Sequence, residues 1–263
     1  MEAAIRFAIF FGVFAAVAAA EWALPKRVPG PGRWARWRVN ISILILDVVV
    51  QRLTLGAAAL AAALYAEANG IGLFHLAGVP MLIAAPIGFL VLDFAVWLQH
   101  VASHRVPLFW RLHQVHHADL EVDLTTGTRF HPVEILLSAL WKVVVVLALG
   151  IDPWTVIAFE AVLNAASVFS HANLSLPAGL DRLLRRVVVT PDMHRVHHSV
   201  IPAETDSNYG FFLSVWDRLF GTMVEQPAAG HAGMTIGLSE HRDPQRLGLA
   251  RLLMMPFERR KPR

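Results

Sequence analysis

Five stretches of the chain, 4–23, 41–66, 79–98, 133–150 and 154–172, are mostly apolar. Each has about the ~20 residues that a helix needs to cross the hydrocarbon core of a bilayer. In lipid, every backbone N–H and C=O has to be satisfied within the chain, and helices of this length do that by themselves. The expected fold is therefore all-α, a polytopic helical membrane protein of four to five spans. Composition agrees, since 56% of residues are hydrophobic and 16% charged, against about 45–50% and about 25% in a soluble domain. The same balance excludes a disordered chain. The lack of any cysteine excludes a disulfide scaffold, thiolate zinc sites, iron–sulfur clusters and cysteine nucleophiles.

The first stretch has the length of a signal peptide. It is followed by Glu21, Trp22 and Lys26-Arg27 rather than a small-residue cleavage site, so it reads as a retained anchor. The second carries Asp47, Gln51 and Arg52, which places part of it at the interface or against other helices. Only Ile151-Asp152-Pro153 separates the last two, which forces a tight helical hairpin. Residues 173–263 are broken by Pro, Gly and charge, and are expected to form a helical cap on the span ends. No repeat or linker divides the chain, so 1–263 reads as one domain, with the histidine-rich region at about 93–223. The closing Arg259-Arg260-Lys261-Pro262-Arg263 reads as a solvated or headgroup-contacting tail.

The net charge of +3 does not point to nucleic acid, because basic residues beside spans are what membrane orientation requires. Lys26, Arg27, Arg33, Arg36 and Arg38 fall between the first two spans. None falls in 67–78; Arg105, Arg111 and Arg129 fall in 99–132; and the segment after 172 is rich in arginine. One orientation satisfies all four, with the N-terminus outside and the cap in the cytoplasm. The expectation is an integral protein of a bacterial inner membrane whose histidine-rich segments share the cytoplasmic side.

Eight of the 13 histidines lie in three boxes: His100-Val-Ala-Ser-His104, His113-Gln-Val-His116-His117 and His194-Arg-Val-His197-His198. Residues three and four apart share a helix face, so each box can aim two imidazoles at one centre. A lone histidine on an apolar helix is usually a satisfied core residue, but two boxes of identical spacing point to metal. Imidazole suits zinc, copper, iron and nickel. A structural zinc site needs only four ligands, whereas this array offers twice that, enough for a binuclear redox centre. Glu160, Asn164, Ser167 and His171 form a polar stripe on the fifth span, expected to face the interior, and make His171 a further ligand candidate. Asp93, seven residues before His100, is a candidate to orient a ligand. His131 is a candidate for capping, orienting or ligation. His75, His231 and His241 stand apart from the boxes. A zinc hydrolase would want a carboxylate base beside its ligands, as in H-E-x-x-H, which the chain lacks, with Glu134 or Asp192 as the only substitutes. A metal carrier would string ligands through several spans, whereas these gather at one side.

Further motifs surround the boxes: Trp110-Arg111-Leu112 before His113, Phe130-His131-Pro132-Val133-Glu134, Thr190-Pro191-Asp192-Met193 before His194, Asn208-Tyr209-Gly210, and Trp216-Asp217-Arg218-Leu219-Phe220-Gly221-Thr222. From about Asp93 to Met223 the chain resembles, in order, the fatty acid hydroxylase / sterol desaturase superfamily of membrane-bound non-haem di-iron enzymes. That resemblance implies two Fe ions, O2 as co-substrate, and a lipid that is hydroxylated or desaturated, with hydroxylation favoured. It implies the ligands His100, His104, His113, His116, His117, His194, His197 and His198, with His171 ahead of the last box and Asn208 in a supporting role. The boxes do not separate fatty acid, sterol and ether-lipid members. The first box has three intervening residues where the fatty acid 2-hydroxylases have four. The chain shows no b-type cytochrome segment, so the expected electron donor is separate: a cytochrome, a ferredoxin with its reductase, or a pterin.

Overall fold

The structure, a computed structural model, describes residues 2–258. The basic tail at 259–263 lies outside the described residues. In chain order the helices are α1 (Glu2–Ala23), α2 (Arg33–Thr54), α3 (Ala58–Asn69), α4 (Leu73–Leu76), α5 (Met81–Arg105), α6 (Pro107–His117), α7 (Pro132–Leu149) and α8 (Pro153–Ser170). Short helices follow: α9 (Ala178–Leu184), α10 (Pro191–His197), α11 (Pro202–Thr205), α12 (Val215–Leu219), α13 (Gly230–Gly233) and α14 (Leu249–Met254). Among the described residues the only extended pairings are three isolated bridges. The protein is an all-α polytopic membrane protein. Among the described residues four segments are long and apolar enough to cross a membrane: Arg33–Leu76, Met81–Arg105, Pro132–Leu149 and Pro153–Ser170. The apolar part of α1 described here, Ala8–Ala23, is shorter.

The second span is not one helix. It breaks at Gly56, which takes a left-handed φ of 57° between α2 and α3. Side-chain polarity explains the division of labour. Arg36 and Asn40 of α2 bind Asp119 and Thr125, and Asp47 is buried, so α2 starts inside the cap. The alanine-rich α3 then packs along α7 and α8. At the far end the backbones of Gly72 and Gly150 meet so closely that a Cβ on Gly72 would lie 2.1 Å from the Gly150 nitrogen.

Proline fixes the helix starts around the site. α6, α7, α8 and α10 each begin with one, where the missing N–H costs nothing and φ is already helical. Val106, held extended before Pro107, stops α5 and turns the chain into α6. Asp152 and Thr190 accept from backbone N–H groups as N-caps of α8 and α10. An apolar core of Leu92, Val96, Val146 and Phe159 joins the spans. A second, around Ile43, Trp110, Val115 and Leu252, seats the cap. The loop after α1 is tied to the segment after α8 by Lys26 N–H to the Asn173 carbonyl (2.9 Å) and Ser175 N–H to the Leu24 carbonyl (2.8 Å). All the basic loops therefore share one end of the bundle, and the loops at 70–80 and 150–152 share the other.

The polar stripe on α8 does not act as a unit. Glu160 pairs with Lys142 of α7 at 3.1 Å between the spans, where a charge is tolerable because it is matched. Asn164 is exposed rather than turned inward, on the side of α8 where it lines a cavity with Ile9 and Phe10 of α1. Only Ser167 and His171 face the cap end, Ser167 donating to the Gly127 carbonyl at 2.9 Å.

Candidate metal centre

The nine boxed and striped histidines converge at the cap end of the bundle in two adjoining groups. His100, His104, His113, His117 and His197 bring their ring nitrogens within 4.8 Å of one another, and so do His116, His171, His194 and His198. The i,i+4 geometry sorts them. α6 sends His113 and His117 to the first group and His116 to the second. The third box sends His194 and His198 to the second group and His197 to the first. The groups touch where His117 stacks on His198, ring centroids 4.7 Å apart.

Outward-facing Nδ1 atoms hold most of these rings in place. His100 donates to the Tyr209 carbonyl (2.7 Å), His197 to the Ser207 carbonyl (2.6 Å), His116 to the Arg129 carbonyl (3.2 Å) and His171 to the Ser167 carbonyl (2.7 Å). His113 donates to the Glu134 carboxylate at 2.6 Å, and His104 lies 3.2 Å from Asp206. A carbonyl oxygen can only accept, so the proton of each such ring sits on Nδ1 and the Nε2 lone pair is bare. His100 Nε2 nevertheless faces His113 Nε2 at 3.1 Å, and His116 Nε2 faces His171 Nε2 at 3.1 Å. Lone pairs pointed at each other repel unless a cation stands between them. Two imidazoles about 2.1 Å from one ion and at right angles to each other would sit about 3.0 Å apart. His104 Nε2, His117 Nε2, His197 Nε2, His194 Nδ1 and both nitrogens of His198 are buried without a partner. Each such atom costs roughly 1–3 kcal/mol. The donor set fits metal.

Burial, with the other imidazoles close by, pushes His116, His117, His194 and His198 well below the usual histidine range. The same causes take His197 to about 3 and His171 to about 4. These rings stay neutral, the form that binds a cation.

The closing motif supports the centre through its backbone. Asp217, fully buried, accepts from Trp97 Nε1 (3.1 Å), the N–H groups of Tyr209 (2.9 Å) and Gly210 (2.8 Å), and the Thr222 hydroxyl (2.6 Å). It thereby fixes the Tyr209 carbonyl that holds His100. Gly210 is required because a Cβ there would meet the Leu213 carbonyl at 2.9 Å and Val189 at 2.8 Å. Asn208 takes φ 48°, an αL geometry that Asn tolerates. It bonds the Met193 carbonyl and both backbone groups of Val224, pinning α10 between the carbonyls of Ser207 and Tyr209.

The structure places the other candidates elsewhere. Asp93 accepts from the Trp216 indole at 2.7 Å and meets no imidazole among the described contacts. His131 caps α7, accepting from Val133 N–H, and its Nε2 lies 3.2 Å from the Leu253 carbonyl. Its neighbour in the motif, Glu134, does the orienting. Asp206 and the supporting carbonyls were invisible to side-chain pattern; only Glu134, in a His-Pro-x-Glu motif, carried a signal. His231 lies beside Asp192, 3.7 Å away, and His75 lies at the far end against Gly150.

Comparison with known proteins points the same way. Ornithine lipid hydroxylase OlsE of Rhizobium tropici is 27% identical over 184 residues, 69% of this chain and 52% of that protein. Alkylglycerol monooxygenase of Xenopus tropicalis is 34% identical over 148 residues, 56% of this chain and 32% of that one. A cholesterol 25-hydroxylase-like protein of Danio rerio is 29% identical over 136 residues, 51% of this chain and 53% of its own. The chain thus spans about half or less of the length of these curated relatives. No solved structure matches. The fatty acid hydroxylase family model matches residues 85–222, more than half of the chain and the whole histidine array, and the chain belongs to that family.

Proposed function

We propose that this protein is an O2-dependent lipid hydroxylase whose two histidine groups each hold one iron ion. The observation that carries the reading is the pair of opposed bare Nε2 atoms, one pair in each group, in a buried site of nine imidazoles. Bound there, iron supplies the electrons and oxidising power for dioxygen that no side chain offers to an unactivated C–H bond. His100, His104, His113, His117 and His197 hold one ion, and His116, His171, His194 and His198 the other. The carbonyls of Tyr209, Ser207, Arg129 and Ser167, with Glu134, keep the Nε2 atoms aimed inward, an outer layer that sets ligand basicity. Burial of every ring excludes bulk water. The curated relatives, whose names are those of lipid hydroxylases and monooxygenases, support a lipid substrate. A separate donor supplies the electrons.

The carboxylates that a zinc hydrolase would use as a base are engaged: Glu134 on His113, and Asp192 on Lys26 (2.6 Å) and Arg195 (2.5 Å). The basic loops at the site end support a cytoplasm-facing centre, in a bacterial inner membrane. Reporter fusions after Gly70 and after Asp119 test the sidedness, with opposite locations expected. Metal analysis tests the centre. Protein purified anaerobically in mild detergent should hold about two irons per chain, as a binuclear oxygen-activating site requires. One tight zinc per chain, unchanged by iron supplementation, overturns the proposal.

A further inference from the structure

The segment after Gly210 packs along the spanning helix α5. Rings along it meet α5 at several depths. Phe211 lies 5.0 Å from His100, Phe220 stacks on Trp97 at 4.7 Å, Trp216 meets Phe94 at 5.1 Å, and Phe212 meets Phe89 at 6.0 Å. His100 and Phe89 are eleven residues apart on one spanning helix, roughly 16 Å along its axis. Residues 211–220 therefore lie along the outside of α5, deepest at Phe212 beside Phe89, and climb back through Trp216 and Phe220 toward the histidine end.

Residues 185–189, which follow α9, are bound to this segment. Val189 N–H donates to the Phe212 carbonyl (2.9 Å), Ser214 N–H to the Val187 carbonyl (3.1 Å), and Arg218 to the carbonyls of Arg185 (2.9 Å) and Arg186 (2.6 Å). Asp217 takes the N–H groups of Tyr209 and Gly210. Irregular backbone so fully paired can sit at membrane depth, where an unpaired group would cost several kcal/mol.

The outer face of this unit carries exposed apolar side chains. Leu183 is 61% exposed, Val187 60%, Leu219 68% and Phe220 51%. Arg182, Arg186 and Arg218, all exposed, neighbour these apolar residues in sequence. We propose that α9 and residues 211–220 are seated in the lipid leaflet on the site's side. Leu183, Val187, Leu219 and Phe220 lie among acyl chains, and Arg182 and Arg186 lie at the anionic headgroups. The occupant is lipid because the face continues the surface of α5, which itself crosses the membrane, and because exposed apolar side chains beside exposed arginines match the acyl–headgroup boundary.

The lack of cysteine makes the test direct. Leu183→Cys, Val187→Cys and Leu219→Cys, with Ala229→Cys as the cap control, are spin-labelled singly in the full-length protein. The labelled chains go into bilayer nanodiscs of phosphatidylcholine and phosphatidylglycerol, and collision with dioxygen is compared with collision with a water-soluble nickel chelate. Labels at 183, 187 and 219 should favour dioxygen and the label at 229 the nickel chelate, with thermal stability near that of the unlabelled protein. Nickel-favoured collisions at 183, 187 and 219 place the face in water and overturn the proposal. Low collision with both agents, as when a second copy covers the face, overturns it as well. Loss of the dioxygen preference at only one position while the other two keep it still supports seating, since each label reads its own depth.

Discussion

Glu134 is the residue whose removal discriminates most finely between a histidine cluster that merely packs and one built to hold metal. Its carboxylate accepts from His113 Nδ1 at 2.6 Å in a buried setting. Glu134→Ala strands that N–H, and a hydrogen bond to a charged group is worth roughly 1.5–3 kcal/mol. Loss of an outer partner of a metal-bound histidine typically costs 10–100-fold in affinity, or about 1.4–2.7 kcal/mol. The two magnitudes agree. Glu134→Gln keeps an acceptor oxygen and loses only charge, so its affinity falls less than that of the alanine variant. His131→Ala removes the cap of α7, about 1 kcal/mol of stability, and the contact with the Leu253 carbonyl, and leaves iron affinity unchanged. Iron retention against a competing ferrous chelator, measured anaerobically, reads all three variants. If His131→Ala releases iron and Glu134→Ala holds it as tightly as wild type, the orientation assigned to His113 is wrong.

Three further outcomes follow from the same geometry. His197→Ala removes a ring central to the first group, so iron content and oxidised lipid should both drop sharply, while His231→Ala leaves both near wild type. Gly127→Ala places a Cβ 2.6 Å from the Ser167 carbonyl and 3.1 Å from His171 Nδ1; metal analysis should show iron falling toward one per chain as the second group empties first. Metal-free protein should lose stability as pH falls from about 6.5 toward 4. Burial depresses His171 to about 4 and His197 to about 3 in the fold, so over that interval the unfolded chain binds more protons than the native one. Thermal unfolding across that range checks the sign, and a flat profile contradicts it.

The nine histidines were legible because i,i+4 spacing survives any tilt of the helix that carries it. How they sort into two groups was not, since it depends on the rotation of α6 and α10 against each other. That rotation is set by Pro107, Pro191 and the buried Asp217, none of which states an angle between helices in its sequence pattern. The outer layer was mostly hidden for a different reason. Four of its six acceptors are backbone carbonyls, at Tyr209, Ser207, Arg129 and Ser167, and a carbonyl has no residue type. Side-chain reasoning reached instead for Asp93, which the Trp216 indole occupies, and His131, which caps a helix. The spans were readable from hydropathy, but the break at Gly56 was signalled only by Asp47, Gln51 and Arg52 on one side of it and alanines on the other. The polar stripe on α8 failed at Glu160 because its partner, Lys142, sits on a different helix.

The central claim is that dioxygen is activated here and its oxygen placed on a lipid. Membranes containing the reduced protein, supplied with isotopically heavy dioxygen and then extracted, test it most directly by mass spectrometry. The account predicts a hydroxylated lipid carrying one heavy oxygen atom, present with the wild-type chain and lost with His197→Ala. A product whose added oxygen comes from water, or one formed equally by His197→Ala, would contradict it.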